Sequence, residues 1–221
     1  MNDINPKAGD YADIRQGVRA VCAPFDSTYW QRVDRVSEYP EEFVAALTAA
    51  GWLAALIPEE FGGGGLSVTE ASVILEEVNR AGANSGACHA QMYVMGTVLR
   101  HGSAEQKRRY LPGIAAGHLR LQSFAVTEPT AGTDTARIKT FAERRGDRYV
   151  VNGQKVWISR VQHSDLMILL ARTTPIEKVV KRTEGLSVFL VDLREGGGKG
   201  LTVRPIENLV RRNNCLCCQR I

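Results

Sequence analysis

The sequence predicts an α+β protein: an all-α helical bundle over residues 1–119, then an antiparallel β-barrel or sandwich over residues 120–221. Three observations carry this. Helix punctuation recurs before residue 120. After it the hydrophobic period shortens from helical to two. Nowhere do strands and helices alternate, which sets aside a doubly wound dinucleotide fold.

The helical part is read from its boundaries. Pro40 stands where a first helical residue belongs, "EEFVAALTAA" follows, and Gly51 is a natural end. Ser67 with Glu70, and Ser103 with Gln106, have capping-box spacing, each ahead of a periodic segment. Behind the first box, Ala71, Ile74, Leu75 and Val78 form one apolar stripe. Ala87 to Arg100 is apolar nearly all round, as a central bundle helix is.

The β part is a series of short runs: "LQSFAVTE", "IKTFAE", "RYVVNG", "QKVWIS", "LMILLART", "LSVFLVDL" and "LTVRPI". Turn signals at Gly146-Asp147, Asn152-Gly153 and "GGGKG" separate several of them. "LTVRPI" reads as an exposed edge strand open to other chains.

Composition narrows the function. Twenty-eight Lys and Arg are interspersed with 24 acidic residues, which leaves no basic stripe for nucleic acid. No apolar run approaches the roughly 18 residues of a spanning helix. The first residues carry Asp3, Asp10, Asp13 and Asp26 rather than a signal-peptide core, so the expectation is a cytoplasmic protein with no membrane partner. Cys22 and Cys88 are isolated; Cys215, Cys217 and Cys218 crowd an atypical tail, 215–221, that reads as a frayed end. Neither they nor His89, His101, His118 and His163 have zinc-ligand spacing, so no metal is expected. "GGGG" at 62–65 and "GGGKGL" at 196–201 lack the context of a phosphate loop and read as plain loops.

The informative stretch is "FAVTEPTAGTD", Phe124 to Asp134. Alternation puts Leu121, Ser123, Ala125 and Thr127 on one face, and Gln122, Phe124, Val126 and Glu128 on the other, until Pro129 ends the ladder. Small residues leave room for a flat ring, with backbone groups and the Thr127 hydroxyl as hydrogen-bonding partners. Ala131, Gly132 and Thr133 let amides approach an anion, with the Thr133 hydroxyl as a further donor. Further on, "NGQKVWISR" offers Trp157 and Ser159 near a strand end. A hairpin domain with ordinary turn chemistry accounts for the same residues, so composition leaves both readings open.

Together, "FAVTEPTAGTD" and "GDRYVVNGQKVWIS" resemble the paired signature of the acyl-CoA dehydrogenase family, close to "TEP-x-AGSD" followed by "NG-x-K-x-WITN". "GWLAALIPEEFGGGGLS" and "GSAEQKRRYLPGIAAGHL" resemble its helical landmarks, and the likeness runs from about residue 12 to 212. The resemblance implies FAD at the junction of the helical and β domains, with an acyl-CoA thioester substrate and an electron-transfer flavoprotein as acceptor. It implies Phe124, Val126 and Thr127 along the isoalloxazine, and Trp157 with Ser159 closing its other side. Thr133 would serve the pyrophosphate and substrate. Arg160 departs from the family's Asn.

Intact relatives are homo-oligomers with a second helical domain that supplies the catalytic glutamate. The chain is therefore expected to be truncated before that C-terminal bundle, with no catalytic base of its own and a tail that leaves the family pattern after Asn214. The alternatives are a non-catalytic flavin- or acyl-CoA-binding remnant, and a fragment of a fold-related acyl-CoA oxidase or flavin monooxygenase.

Overall fold

The computed structural model describes residues 11–196, 200–206 and, for the backbone, 214–218. The chain forms two compact units, Met1–His118 and Leu119–Ile221. Residues 215–221, with the atypical tail, and residues 195–199, with most of the glycine-rich run, lie outside the residues whose side chains are described.

The first unit is helical: α1 Ala12–Cys22, α2 Ser27–Val36, α3 Glu41–Ala49, α4 Val68–Arg80, α5 Gly86–His101 and α6 Ala104–Ala115. Both capping boxes form. Ser67 accepts from the Glu70 amide while Glu70 accepts from the Ser67 amide, and Ser103 and Gln106 do the same for α6. Pro40 lies one position ahead of α3, and Gly51 follows it at φ +79°, the left-handed geometry that ends a helix cheaply in glycine. The α4 stripe is buried as expected at Ala71, Ile74 and Val78, where it meets Val18, Phe43, Leu47, Leu53 and Met92.

The glycine run at 62–65 is structural. Its four amides donate to the carbonyls of Glu59, Pro58, Ala54 and Ile57, so none points to an outside anion. A Cβ on Gly63 would collide with the Ile57 carbonyl, which explains the glycine there.

A buried carboxylate joins α1 to α4. Glu77 is 1% exposed and accepts from Arg15 at 2.6 Å and from Arg19 at 2.6 and 3.1 Å. Arg15 also reaches Glu76 at 2.9 Å. The Arg19 hydrogen bonds, against the opposing effect of burial and with help from Arg15, hold Glu77 down at about 2.

The second unit has two sheets. In the first the order is β1 (Leu121–Ala125), β5 (Leu166–Arg172), β2 (Phe141–Arg145), β3 (Arg148–Asn152), with β6 (Leu186–Asp192) also pairing β5. The second has the order β4 (Gln154–Ser159), β8 (Asn214–Cys218), β7 (Thr202–Ile206). Ile158 and Val203 of the second sheet share a core with Ala125, Ala142, Met167 and Leu169 of the first.

Two expectations are corrected. The unit is not purely antiparallel: β1 runs parallel to β5, and β2 meets β5 in parallel at Phe141 and Arg172. Residues 126–165 separate β1 from β5, enough chain for the crossover that parallel strands require. Nor is the tail frayed along its length. Residues 214–218 form β8 between β4 and β7, so "LTVRPI" is paired along one side. Ladder bonds come from the backbone, so an unusual side-chain composition does not prevent them.

Arg172, 4% exposed, ties the loops around β5. Its guanidinium donates to the carbonyls of Ala136, Ile138, Arg182 and Glu184. Among the described residues no helix is long and apolar enough to cross a membrane.

Glu77→Gln removes the buried anion that Arg15 and Arg19 share, and is expected to cost about 3 kcal/mol, measured by urea denaturation. The native pKa is lowered, so the stabilisation is complete above the ordinary 4.5 and is lost as pH falls toward about 2. Wild-type stability should fall through that window more steeply than that of the Gln variant.

Candidate functional site

The site begins with a register defect in β1. Leu121 pairs with Leu166 but Ser123 pairs with Met167, so Gln122 is an extra residue. The strict alternation expected from sequence therefore fails. Leu121, Gln122 and Ser123 are all buried, Phe124 is 37% exposed and Ala125 is fully buried.

The ladder ends at Ala125, ahead of Pro129, and the chain continues as Val126, Thr127 and Glu128 held by other means. Val126 O accepts from Lys155 Nζ at 2.8 Å, and Thr127 O accepts from the Val156 amide at 2.9 Å. Glu128 and Ala131 exchange backbone hydrogen bonds at 2.9 and 3.1 Å, closing the turn over Pro129 and Thr130. Gly132 and Thr133 follow, exposed, and Thr133 O accepts from the Thr135 amide.

A second defect lies in β4. Lys155 pairs with Cys217 and Ile158 with Cys215, so Val156 and Trp157 face a single residue of β8. This bulge turns the Val156 amide to Thr127. It places Trp157 at φ +63°, a left-handed backbone that an aromatic residue rarely adopts, and leaves its side chain 57% exposed. Arg160, at φ +58°, follows the strand in the same geometry. Ser159 O accepts from Ser123 Oγ at 3.4 Å, a weak tie back to β1, and Ser123 Oγ donates more closely to Ser164 Oγ at 2.7 Å.

The structure thus brings Phe124, Val126 and Thr127 beside the strand bearing Trp157 and Ser159. Thr133 sits on the exposed turn beyond, with no described bond to the other five. Its neighbour Asp134 pairs with Arg182 at 2.9 Å.

Sequence reasoning missed what lies beneath them. Glu128 does not simply point to the opposite strand face: it is 5% exposed and accepts from the amides of Lys139 at 2.6 Å and Thr140 at 2.9 Å, and from Lys155 Nζ at 2.9 Å. Burial pushes the Glu128 carboxyl up, but donors from Lys139, Thr140 and Lys155 outweigh it and hold it below the usual range. Burial likewise pulls the Lys155 ammonium below an ordinary lysine, and Glu128 offsets only part of this. One acid and one base, each embedded in one of the two motifs, were the only signal.

Trp157 is therefore largely open to solvent and Phe124 about one-third open, on the two strands that flank the half-buried Thr127. Full burial of a Phe is worth about 1.5–3 kcal/mol, so leaving Phe124 and Trp157 exposed sacrifices stability unless something covers them. A left-handed non-glycine residue costs a further ~1–3 kcal/mol, a pattern concentrated at ligand sites. Trp157→Gly removes that strain, and should change stability by no more than about 1 kcal/mol despite the loss of an indole, because glycine adopts positive φ freely. Thermal denaturation of the two chains checks this.

The helical unit matches the acyl-CoA dehydrogenase N-terminal domain over residues 9–118, and the sheet unit matches the acyl-CoA dehydrogenase middle domain over residues 123–219. The second match runs past Asn214, where sequence alone reads a departure from the pattern. The chain is 42% identical over 150 residues to acyl-CoA dehydrogenase FadE26 of Mycobacterium tuberculosis, an alignment covering 68% of this chain and 37% of that one. A crystal structure of acyl-CoA dehydrogenase from Geobacillus kaustophilus superposes with a TM-score of 0.85 at 26% identity, covering 99% of this chain and 57% of that one. The ChsE4-ChsE5 complex from Mycobacterium tuberculosis gives a TM-score of 0.83 at 32% identity, covering 100% and 56%. The chain therefore spans between 37% and 57% of these relatives. With both units matched in order, the two motifs on adjoining segments of the second, the chain belongs to the acyl-CoA dehydrogenase family.

Proposed function

We propose that the chain is the cofactor-binding part of an FAD-dependent enzyme that introduces an α,β double bond into an acyl-CoA thioester. The observation that carries this reading is Trp157, 57% exposed at φ +63° on a bulge whose Val156 amide is bonded to the Thr127 carbonyl. These residues fit a flat heteroaromatic ring: apolar faces from Phe124, Val126 and Trp157, and polar edges from Thr127 and Ser159. Thr133, on the exposed turn, offers a hydroxyl to the pyrophosphate and to the CoA thioester. When bound, FAD supplies an acceptor for the hydride that leaves the β-carbon of the thioester.

The chain's own residues then orient the ring, keep water from its apolar faces, and hold no proton for the reaction. The acid of the motif, Glu128, is committed to Lys155 and two amides, and its lowered pKa makes it a weak base. A carboxylate supplied from outside the matched residues, as in the family's C-terminal helical domain, completes the chemistry. An electron-transfer flavoprotein as acceptor, and assembly with further acyl-CoA dehydrogenase chains, follow from the same family reading. The 32% identity to a ChsE4-ChsE5 complex supports the second.

Titration of the purified chain with FAD, followed by flavin absorbance and fluorescence, tests the reading. Saturable binding is expected, and a chain that takes up no FAD counts against it. Thr127→Val keeps the shape and should weaken binding by about 1 kcal/mol, the net worth of one hydrogen bond. Unchanged affinity would return the Thr127 hydroxyl to a purely structural role.

The FAD-loaded chain, mixed anaerobically with short, medium and branched acyl-CoAs, is expected to show no bleaching of the flavin band over minutes. A positioned base is worth about 100- to 10,000-fold in rate, and none is placed among the described site residues. Substrate-dependent bleaching would reveal one.

A further inference from the structure

Among the described residues, the most deeply buried ion pair of the sheet unit, Glu128 with Lys155, has no part in the chemistry above, yet it touches both motifs. We propose that Glu128 and Lys155 are positioning residues whose pair fixes Val126–Glu128 against β4, and so presents the Thr127 backbone and the Trp157 side chain to the ligand. The identity of that ligand rests on the FAD reading; the clamp itself rests on the geometry.

Stability alone is a poor reason for this pair. The two side chains are each 4% exposed, and desolvating two charges costs so much that apolar replacements of equal volume are often neutral or better. What an apolar pair lacks is direction. The remaining contacts of both groups go to backbone: Lys155 Nζ donates to Val126 O, and the Glu128 carboxylate accepts from the amides of Lys139 and Thr140. Each charge therefore fixes a stretch of chain.

The stretch concerned has no ladder of its own, because β1 ends at Ala125. Its described ties are Lys155 to Val126, Val156 to Thr127, the three donors to the Glu128 carboxylate, and the backbone bonds that Glu128 exchanges with Ala131 across the turn. Two of these anchors, Lys155 and Val156, belong to the bulged segment of β4 that turns Trp157 outward. With Lys155 buried on one side of the bulge and Ile158 on the other, Trp157 is its most exposed residue and Val156 is half-buried. One pair thus sets the position of Thr127 and the orientation of Trp157 together, and ordering them before binding spares the ligand that entropy.

The test uses the 221-residue chain and a double variant, Glu128→Gln with Lys155→Met, which removes both charges and keeps the volume. Thermal melting reports stability, amide hydrogen exchange reports the clamp, and FAD titration reports the site. The expected result is a melting midpoint close to wild type and unchanged exchange in β5. Exchange of the Val156 amide should be at least about tenfold faster. The FAD dissociation constant should rise by about tenfold or more, with blurring of the vibronic structure in the bound flavin's visible band.

Unchanged FAD affinity in the double variant overturns the proposal, whatever the exchange shows. If the wild-type chain takes up no FAD, the functional reading fails separately, and ligand-free exchange at Val156 decides the clamp: faster exchange in the variant supports it, equal exchange overturns it. If the double variant does not fold, Lys155→Met alone, which leaves the Glu128 carboxylate its two amide donors, takes its place in both measurements. Weaker FAD binding and faster Val156 exchange then support the clamp, and wild-type values overturn it.

Discussion

The Glu128 carboxylate is the point on which the sheet unit's organisation depends. A strand that stops at Ala125 leaves backbone groups without ladder partners, and buried amides need acceptors. Glu128 accepts from two amides of the segment leading into β2 and from the ammonium of Lys155, while Lys155 passes the connection to Val126. A side chain thus stands in for a neighbouring strand.

The helical unit uses a related device for another end. Among the described residues the buried carboxylates are Glu77 and Glu128. Glu77 joins two helices through arginine side chains, so its partners are mobile groups and its effect is on helix packing. Glu128 bonds mainly to backbone, so its effect is on the course of the chain. The path of the main chain in turn decides which carbonyls and side chains the segment offers.

How much of this was legible follows from which signals are local. The α4 and α6 starts were, because a capping box is completed within four residues. Helix α1 was not singled out: its buried face carries Arg15 beside Val18 and Cys22, and an arginine reads as surface until Glu77 is known to face it. The strands from Leu121 to Ile206 were found from alternation and turns, but their parallel pairing was not, since direction is settled between distant segments. In the site, the motif residues stood out by type. The bulges at Gln122 and in β4 did not, because an extra residue is defined only against the opposite strand. The inward Lys155 was hidden for the same reason as Arg15: its partner lies in another segment.

The placement of β8 has a consequence for the order in which the protein is made. Strand β4 has its ladder partner in residues 214–218, and the bulge that turns Trp157 outward exists only as a mismatch between those strands. Chains emerge from the ribosome N-terminus first, and a pairing of such long sequence separation forms late. The helical unit and the β2–β3 hairpin can therefore be in place while β4 still waits for its neighbour. Nascent chains would acquire the outward Trp157 only once residues 214–218 have emerged, after the scaffold that carries it.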